Sequence, residues 1–369
     1  MVNQERIVKE FIEYVQIDSP TRKEGNFVKF IRKELEDLGL EVVVDNAGEK
    51  IGSDGNNIIA TLKGDKDVEP IMLCCHMDTV SPGEGIKPII KDGVIYSDGT
   101  TILGGDNKAG IAAIVEAIRT ILEENVSHGD IEVVFTIAEE GGLNGAKNLD
   151  YSKIKSKTAF VLDSSGDLGQ IVIQGPAQDK INAKIKGKPA HAGVCPEEGI
   201  SAIQVAAAAI NKMNLLRIDE DTTANIGIIN GGKATNIVCP EVEIKAEARS
   251  LSNEKLDKQT AHMVECFEKA AKEFGAEIEI ETSRAYGAFK IDENDKIVNT
   301  VRKACENIGL KAFTDSTGGG SDTNILNVNG IKCVNLGIGE KKAHTLEEHM
   351  SIKDLVGTSK LVLEIIKTV

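Results

Sequence analysis

From Pro70 to Cys75 the chain is almost uninterruptedly apolar, and the run stops in His76-Met77-Asp78-Thr79. A short apolar run of this kind reads as a buried strand. Successive strand residues face opposite sides, so His76 and Asp78 share one side. A neutral imidazole is a metal ligand, and a carboxylate beside it can hold its ring in one tautomer. The plain alternative is a strand that turns polar where it meets solvent. One stretch cannot choose between these, because short motifs match by chance. The choice depends on how many other strand ends finish in the same way.

Several do. Ile131 to Ile137 is apolar and runs into Ala138-Glu139-Glu140-Gly141-Gly142, and Thr158 to Leu162 runs into Asp163. The adjacent carboxylates of Glu139 and Glu140 repel each other unless positive charge lies between them; a solvated turn is the plain reading. Leu103-Gly104-Gly105-Asp106-Asn107-Lys108-Ala109-Gly110 leads into a helix spanning Ala109 to Glu124. Asp106 at that position is either an ordinary N-cap or a ligand. The glycines imitate a phosphate loop, but no Gly-Lys-Ser/Thr follows. Strands alternating with helices imply an α/β sheet, and such sheets bind ligands at the carboxyl ends of their strands. His76, Asp78, Asp106, Glu139, Glu140 and Asp163 all fall at that edge.

The rest of the chain frames this sheet. Helical spacing covers Gln4 to Tyr14 and Phe27 to Leu40, and strands cover Glu41 to Asp45 and Asn56 to Leu62. Lys91-Asp92-Gly93 marks a hairpin. From about Pro176 the texture changes to alternating strands at Lys180–Lys186, Thr222–Ile229, Val242–Ser250 and Ala276–Ser283, with helices at Gly199–Met213 and Leu256–Phe274. That order fits an inserted α+β domain of one four-stranded sheet and two helices. The insert takes residues 176–286, and a first domain takes 1–175 and 287–369. After the insert come a helix from Asp295 to Ile308, a glycine-rich turn at Thr317–Asp322, a strand from Ile331 to Leu336, His344, and a last helix from Ile352 to Lys367.

Composition excludes some partners. A net charge of −15 and the absence of Trp argue against nucleic acid and anionic membrane surfaces. No apolar run is long enough for a membrane span, and the N-terminus lacks a signal peptide's apolar centre. Seven cysteines without a Cys-x-x-Cys pair read as reduced thiols of a cytoplasmic protein. Cys74, Cys75, Cys305 and Cys333 are expected to be buried, and Cys195 and Cys239 more exposed.

His76 and His344 with Asp106, Glu140 and Asp163 make a nitrogen-and-oxygen donor set without thiolate, which suits catalytic zinc or a similar divalent ion. Five donors exceed one open zinc site and suit two ions roughly 3.5–4 Å apart sharing a carboxylate, with Asp106 the natural bridge. Glu139 beside them could serve as general base. His128, His262 and His349 read as surface or helix-face residues, although His349 is close enough to His344 to compete as a ligand.

With these motifs in this order, the chain resembles the M20 family of metallopeptidases, most closely its peptidase T-like branch. The resemblance rests on His76-Met77-Asp78, Gly104 to Gly110, Glu139-Glu140-Gly141, Asp163, Pro189-Ala190-His191-Ala192-Gly193 and His344, and it runs over nearly the whole length. It implies a zinc-peptidase-like mixed sheet flanked by helices. It implies two zinc ions per subunit, with cobalt or manganese as substitutes. His76 and Asp163 would hold one ion and Glu140 and His344 the other, bridged by Asp106, with Glu139 as base and Asp78 as partner of His76. It further implies that the insert is a lid and homodimerisation domain, that His191 reaches the partner's site, and that Asn236 and Arg249 bind substrate. The expected substrate is a short peptide. N-acyl amino acid deacylation or carboxypeptidase action is the alternative, and a catalytically silent binding protein the reading from another class. Asn107 stands where the family commonly has aspartate, and Gly141 where it has an apolar residue. Gly319 to Asp322 fit the family's glycine-rich segment.

Overall fold

The computed structural model describes residues 1–369. The chain divides into two compact units. One comprises Met1–Ile173, Lys290–Ser316 and Ser321–Val369, and the other Gln174–Phe289 with Thr317–Gly320. The junctions lie within three residues of those read from the sequence. Unforeseen is the assignment of the glycine-rich stretch 317–320 to the second unit.

The first unit is built on a mixed sheet whose strands run in the order Glu41–Val44, Ile58–Leu62, Ile131–Thr136, Ile71–His76, Thr158–Ser164, Lys332–Gly337 and Gln170–Gly175. Ile131–Thr136, Ile71–His76, Thr158–Ser164 and Lys332–Gly337 are mutually parallel. Two of them, Ile71–His76 and Ile131–Thr136, are buried at every position, as strands covered on both faces must be. Their register pairs His76 with Thr136, so the segments that follow leave the sheet at one level. Helix Gly105–Glu124 is buried nearly all round and packs against Gln4–Gln16 and Ile352–Thr368. The expected hairpin joins Ile89–Lys91 to Val94–Tyr96, with Asp92 and Gly93 both at positive φ, 51° and 76°. Such a turn favours Asp-Gly. A third strand, His349–Ser351, completes that small sheet.

The second unit holds an antiparallel sheet in the order Leu216–Arg217, Thr222–Gly231, Glu241–Ser250, Ala177–Lys186, Glu277–Tyr286. Four strands are long, as read; the fifth is a two-residue exposed edge, too short to carry a periodic signal. Along Glu241–Ser250, Val242, Ile244, Ala246 and Ala248 turn inward, and Glu241, Glu243 and Lys245 turn outward. The inward face meets helices Ala202–Lys212 and Asn253–Phe274 in a core that includes Phe267 and Met263. Cys239 belongs to this core, with 7% exposure, so its place beside Pro240 misled the sequence reading. Strands Gln170–Gly175 and Phe313–Ser316 also escaped that reading, because short, partly polar segments look like loops. No helix is long and apolar enough to cross a membrane.

Candidate metal centre

His76 closes a buried strand, and its ring is 2% exposed. Nδ1 lies 2.9 Å from the Asp78 carbonyl oxygen and 3.4 Å from Asp78 Oδ1. Both of those atoms accept, so the ring proton belongs on Nδ1. Asp78 is itself fully buried and does more than orient the ring. Its Oδ1 accepts the Glu139 N–H at 2.9 Å, and its Oδ2 accepts the Thr21 hydroxyl at 2.7 Å and the Glu140 N–H at 3.2 Å. One carboxylate thus ties the histidine to the turn after the neighbouring strand. Ala138 enters that turn at φ 48°, with its N–H donated to Glu24.

Asp106 lies in the first turn of the long helix, yet it is not its N-cap, a position that Gly104 holds. Asp106 and Asn107 keep non-helical backbone angles. Asp106 Oδ1 lies 2.9 Å from His76 Nε2, and Oδ2 lies 3.2 Å from His344 Nε2. Each imidazole also meets a second carboxylate: Asp163 Oδ1 is 3.2 Å from His76 Nε2, and Glu140 Oε1 is 2.7 Å from His344 Nε2. One donor atom each of His76, Asp106 and Glu140 falls within 4.8 Å of the others. His344 is half exposed and His76 is not. His349 points elsewhere, bonding Glu347 O and lying against the Tyr96 ring.

This arrangement calls for positive charge. With its proton on Nδ1, His76 turns an Nε2 lone pair toward two carboxylates, a contact that repels unless a proton or a cation lies between. Burial disfavours a charged His76, but Asp163, Asp106 and Asp78 outweigh it and hold its pKa well above the ordinary value. Hydrogen bonds with Asp106 and Glu140 push His344 up to about 10. Burial pushes Asp163 up to about 7, and burial with the nearby Asp163 charge raises Glu139 well above the carboxylate range. Burial would raise Asp106 too, but its two histidine partners hold it below the usual range. A hard-oxygen and imidazole donor set around one shared carboxylate fits divalent metal.

Residues 72–368 match Peptidase family M20/M25/M40. The chain belongs to this family. It is similar over its whole length to solved structures of two bacterial members. The aminopeptidase PepT from Bacillus cereus has a TM-score of 0.94 at 50% identity, covering 100% of this chain and 99% of that one. A tripeptidase from Staphylococcus aureus has a TM-score of 0.97 at 45% identity, covering 100% and 98%. The Bacillus subtilis protein YqjE is 48% identical over 367 residues, 100% of this chain and 99% of its own. The M20 chain is thus a peptidase-family hydrolase of a metal-dependent class.

In the second unit, the segments carrying His191 and Asn236 pair: Ala192 N–H donates to Asn236 O at 3.0 Å, and Val238 N–H to Ala190 O at 2.9 Å. His191 is exposed, and its Nδ1 accepts the Gly193 N–H at 3.2 Å. Asn236 is exposed on the facing segment. Arg249 already has an anionic partner. Its Nε and Nη2 donate to Glu247 at 2.9 and 3.2 Å, and its Nη1 to Gly318 O at 3.2 Å.

Residues to which the sequence reading gave no role at the metal centre also shape this M20 site. Asn107 Nδ2 donates to Asp163 Oδ1 at 2.9 Å, a bond that an ionised aspartate at this position could not make. Asn335 Oδ1 accepts the Asp163 N–H at 2.9 Å. A polar residue inside an apolar strand was the available signal for Asn335. Asp322 is 2% exposed, accepts the Thr136 hydroxyl and is pushed up to about 6 by burial. Glu340 and Glu348 are each 1% exposed, although the sequence around His344 is so charged that it reads as solvated loop.

Proposed function

We propose that this chain is a dinuclear zinc hydrolase that releases residues from the N-termini of short peptides. The observation that carries the reading is the shared carboxylate of Asp106, with one oxygen turned to His76 and the other to His344. His76 and Asp163 would hold one ion and Glu140 and His344 the other. Two zinc ions, or cobalt or manganese in their place, would polarise the scissile carbonyl and bring the pKa of a bound water toward about 7.

The chain's own residues do the remaining work. Glu139 is the general base; its burial and raised pKa suit a carboxyl that takes a proton and returns it to the leaving nitrogen. Asp78 fixes the base relative to the metal ligands through the Glu139 N–H and the His76 ring. His191 accepts at Nδ1, which leaves an Nε2–H to donate to a developing oxyanion. In this reading the second unit is a lid that pairs two subunits, and His191 serves the partner's site. Asn236 would bind substrate beside it. Arg249 would grip a substrate carboxylate only if Glu247 gave way. The similarity to enzymes described as an aminopeptidase and a tripeptidase supports the substrate class. Seven unpaired cysteines support a cytoplasmic setting.

The test is dialysed protein reloaded with zinc and offered tripeptides and N-acyl amino acids. Release of the first residue from tripeptides alone is expected. Cleavage of the acyl compounds alone would make it a deacylase or carboxypeptidase. Less than one equivalent of retained metal, unrestored by added zinc or cobalt, would mark a silent binding protein. A fully active monomer by light scattering would remove the role given to His191 in a partner.

A further inference from the structure

Asp106 and His344 lie on segments far apart in sequence, and one buried carboxylate joins them. Glu348 Oε2 accepts the N–H of Leu103 at 2.7 Å and of Gly104 at 2.9 Å, and Oε1 accepts that of Asp106 at 3.2 Å. The same residue lies in the segment that presents His344. Lys341 and His349 exchange both backbone hydrogen bonds at 3.0 Å, and the Glu348 N–H donates to Thr345 O at 3.1 Å. Within that closed segment Lys342 and His344 stand at φ 57° and 64°, a region that non-glycine residues adopt only when their surroundings hold them there. A methyl group on Gly105 would come within 2.8 Å of Glu340 Oε1 and 3.2 Å of Glu348 Oε1, so the 103–106 turn lies directly on two carboxyl groups.

We infer that Glu348 is a positioning residue for the second metal position, docking the turn that carries Asp106 onto the segment that carries His344. This rests on the metal reading of those two residues given above. Asp106 is shared by both positions, but the effect falls mainly on the second. Asp78 orients His76 independently, whereas His344 is half exposed and sits on the segment that Glu348 anchors. A carboxylate presents acceptors on both oxygens to the three backbone N–H groups; an amide presents one oxygen and turns an NH2 toward the rest.

The test is chelator-competition titration with Zn2+ on the full chain, wild type against Glu348→Gln, alongside amide exchange at Leu103, Gly104 and Asp106. Wild type is expected to bind two ions. The variant should bind the first ion within about threefold of wild type and the second about 10–100-fold more weakly, the usual cost of losing a supporting partner of a metal ligand. The three amides should exchange faster while the thermal midpoint changes little. Equal affinity for both ions in the two proteins, or equal loss of both ions in a folded variant, would overturn the inference. Wild type binding fewer than two ions would instead remove the metal reading, and this inference with it. If Glu348→Gln does not fold, Glu348→Asp, which keeps the charge with a shorter reach, is titrated instead. Failure of both to fold would reduce Glu348 to a folding residue and overturn the assignment.

Discussion

Beside helix Gln4–Gln16, the carboxylates of Glu10, Glu34, Glu116 and the more exposed Glu123 share two arginines. At the strand ends, Asp78, Asp106, Glu139, Glu140 and Asp163 share two histidines. In the first cluster Arg6 meets Glu116 through Nε at 2.6 Å and Nη2 at 3.0 Å, while Arg119 reaches Glu34 at 2.5 Å and Glu10 at 3.2 Å. Guanidinium is charged at any relevant pH, so that cluster carries most of its compensation within the fold. Imidazole is charged only when protonated, and two rings cannot balance five carboxylates. One acidic cluster is therefore largely compensated as folded, with only Glu10 left partly unserved, and the other depends far more on cations from outside. The comparison teaches that buried acidity marks a function only where the chain leaves it uncompensated.

The largest effect expected from that difference is on Glu139, which has no arginine to quench it. Glu139→Gln should keep both ions and lose about 10²–10⁴-fold in kcat, the range ascribed to a general base. Metal content by mass spectrometry, with turnover on a tripeptide, decides this. Near-normal turnover in a fully loaded variant would refute the assignment.

Metal removal comes next. At a free ion concentration about a hundredfold above its Kd, each ion should stabilise the fold by about 2.7 kcal/mol. The sign of the pH dependence follows from the raised groups. Asp163 moves from 3.8 to about 7 on folding, so its contribution is present below 3.8 and is lost as pH rises through about 7. His344 moves from 6.5 to about 10, so its contribution is present below 6.5 and is lost through about 10. Stripped protein should therefore weaken steadily across that span, and the gap in thermal midpoint between loaded and stripped protein should widen from pH 4.5 to 7.5. A constant gap would break the contrast between the clusters.

Asp78→Ala should weaken the ion at His76 by about 10–100-fold, as loss of the group that orients a ligating imidazole does. It should also slow turnover, because the Glu139 and Glu140 N–H groups lose their acceptor. Isothermal titration with Zn2+ checks the first effect, and unchanged affinity would show that the ring needs no such support.

How much of this the sequence disclosed depends on where each residue sits. His76, Asp106, Glu140 and Asp163 were legible because apolar runs and helix starts are regular, and residues at their ends stand out; His344, in a loop beyond strand Lys332–Gly337, stood out only as a second imidazole and through the family resemblance. The geometry brings those five together. Glu348 and Glu340 were not legible, because their burial comes from a closed loop with no period. Asn107 was noticed only as a departure; its bond to Asp163 depends on a non-helical backbone at the start of a helix. In the second unit the alternation of Glu241–Ser250 foretold its two faces and put Glu247 on the same face as Arg249, but it did not disclose that the two would pair.

The smallest effect expected lies in the compensated cluster, and it probes how complete that compensation is. Arg119 serves two carboxylates and bonds Glu34 more closely, while Glu10 Oε2 has no hydrogen-bond partner. Burial accordingly pushes Glu10 from 4.5 up to about 7, against the pull of Arg119. A carboxyl raised in this way stabilises the fold fully below 4.5 and ceases to do so as pH rises through about 7. Discounted for partial exposure, the loss should be about 1 kcal/mol. Glu10→Gln should match wild type near pH 4 and exceed it by about that amount near pH 8. Urea unfolding of the two zinc-loaded proteins at a series of pH values isolates the term, because the metal site contributes equally to both. Parallel stability curves would mean that Arg119 neutralises both of its carboxylates, and the cluster would then be fully closed.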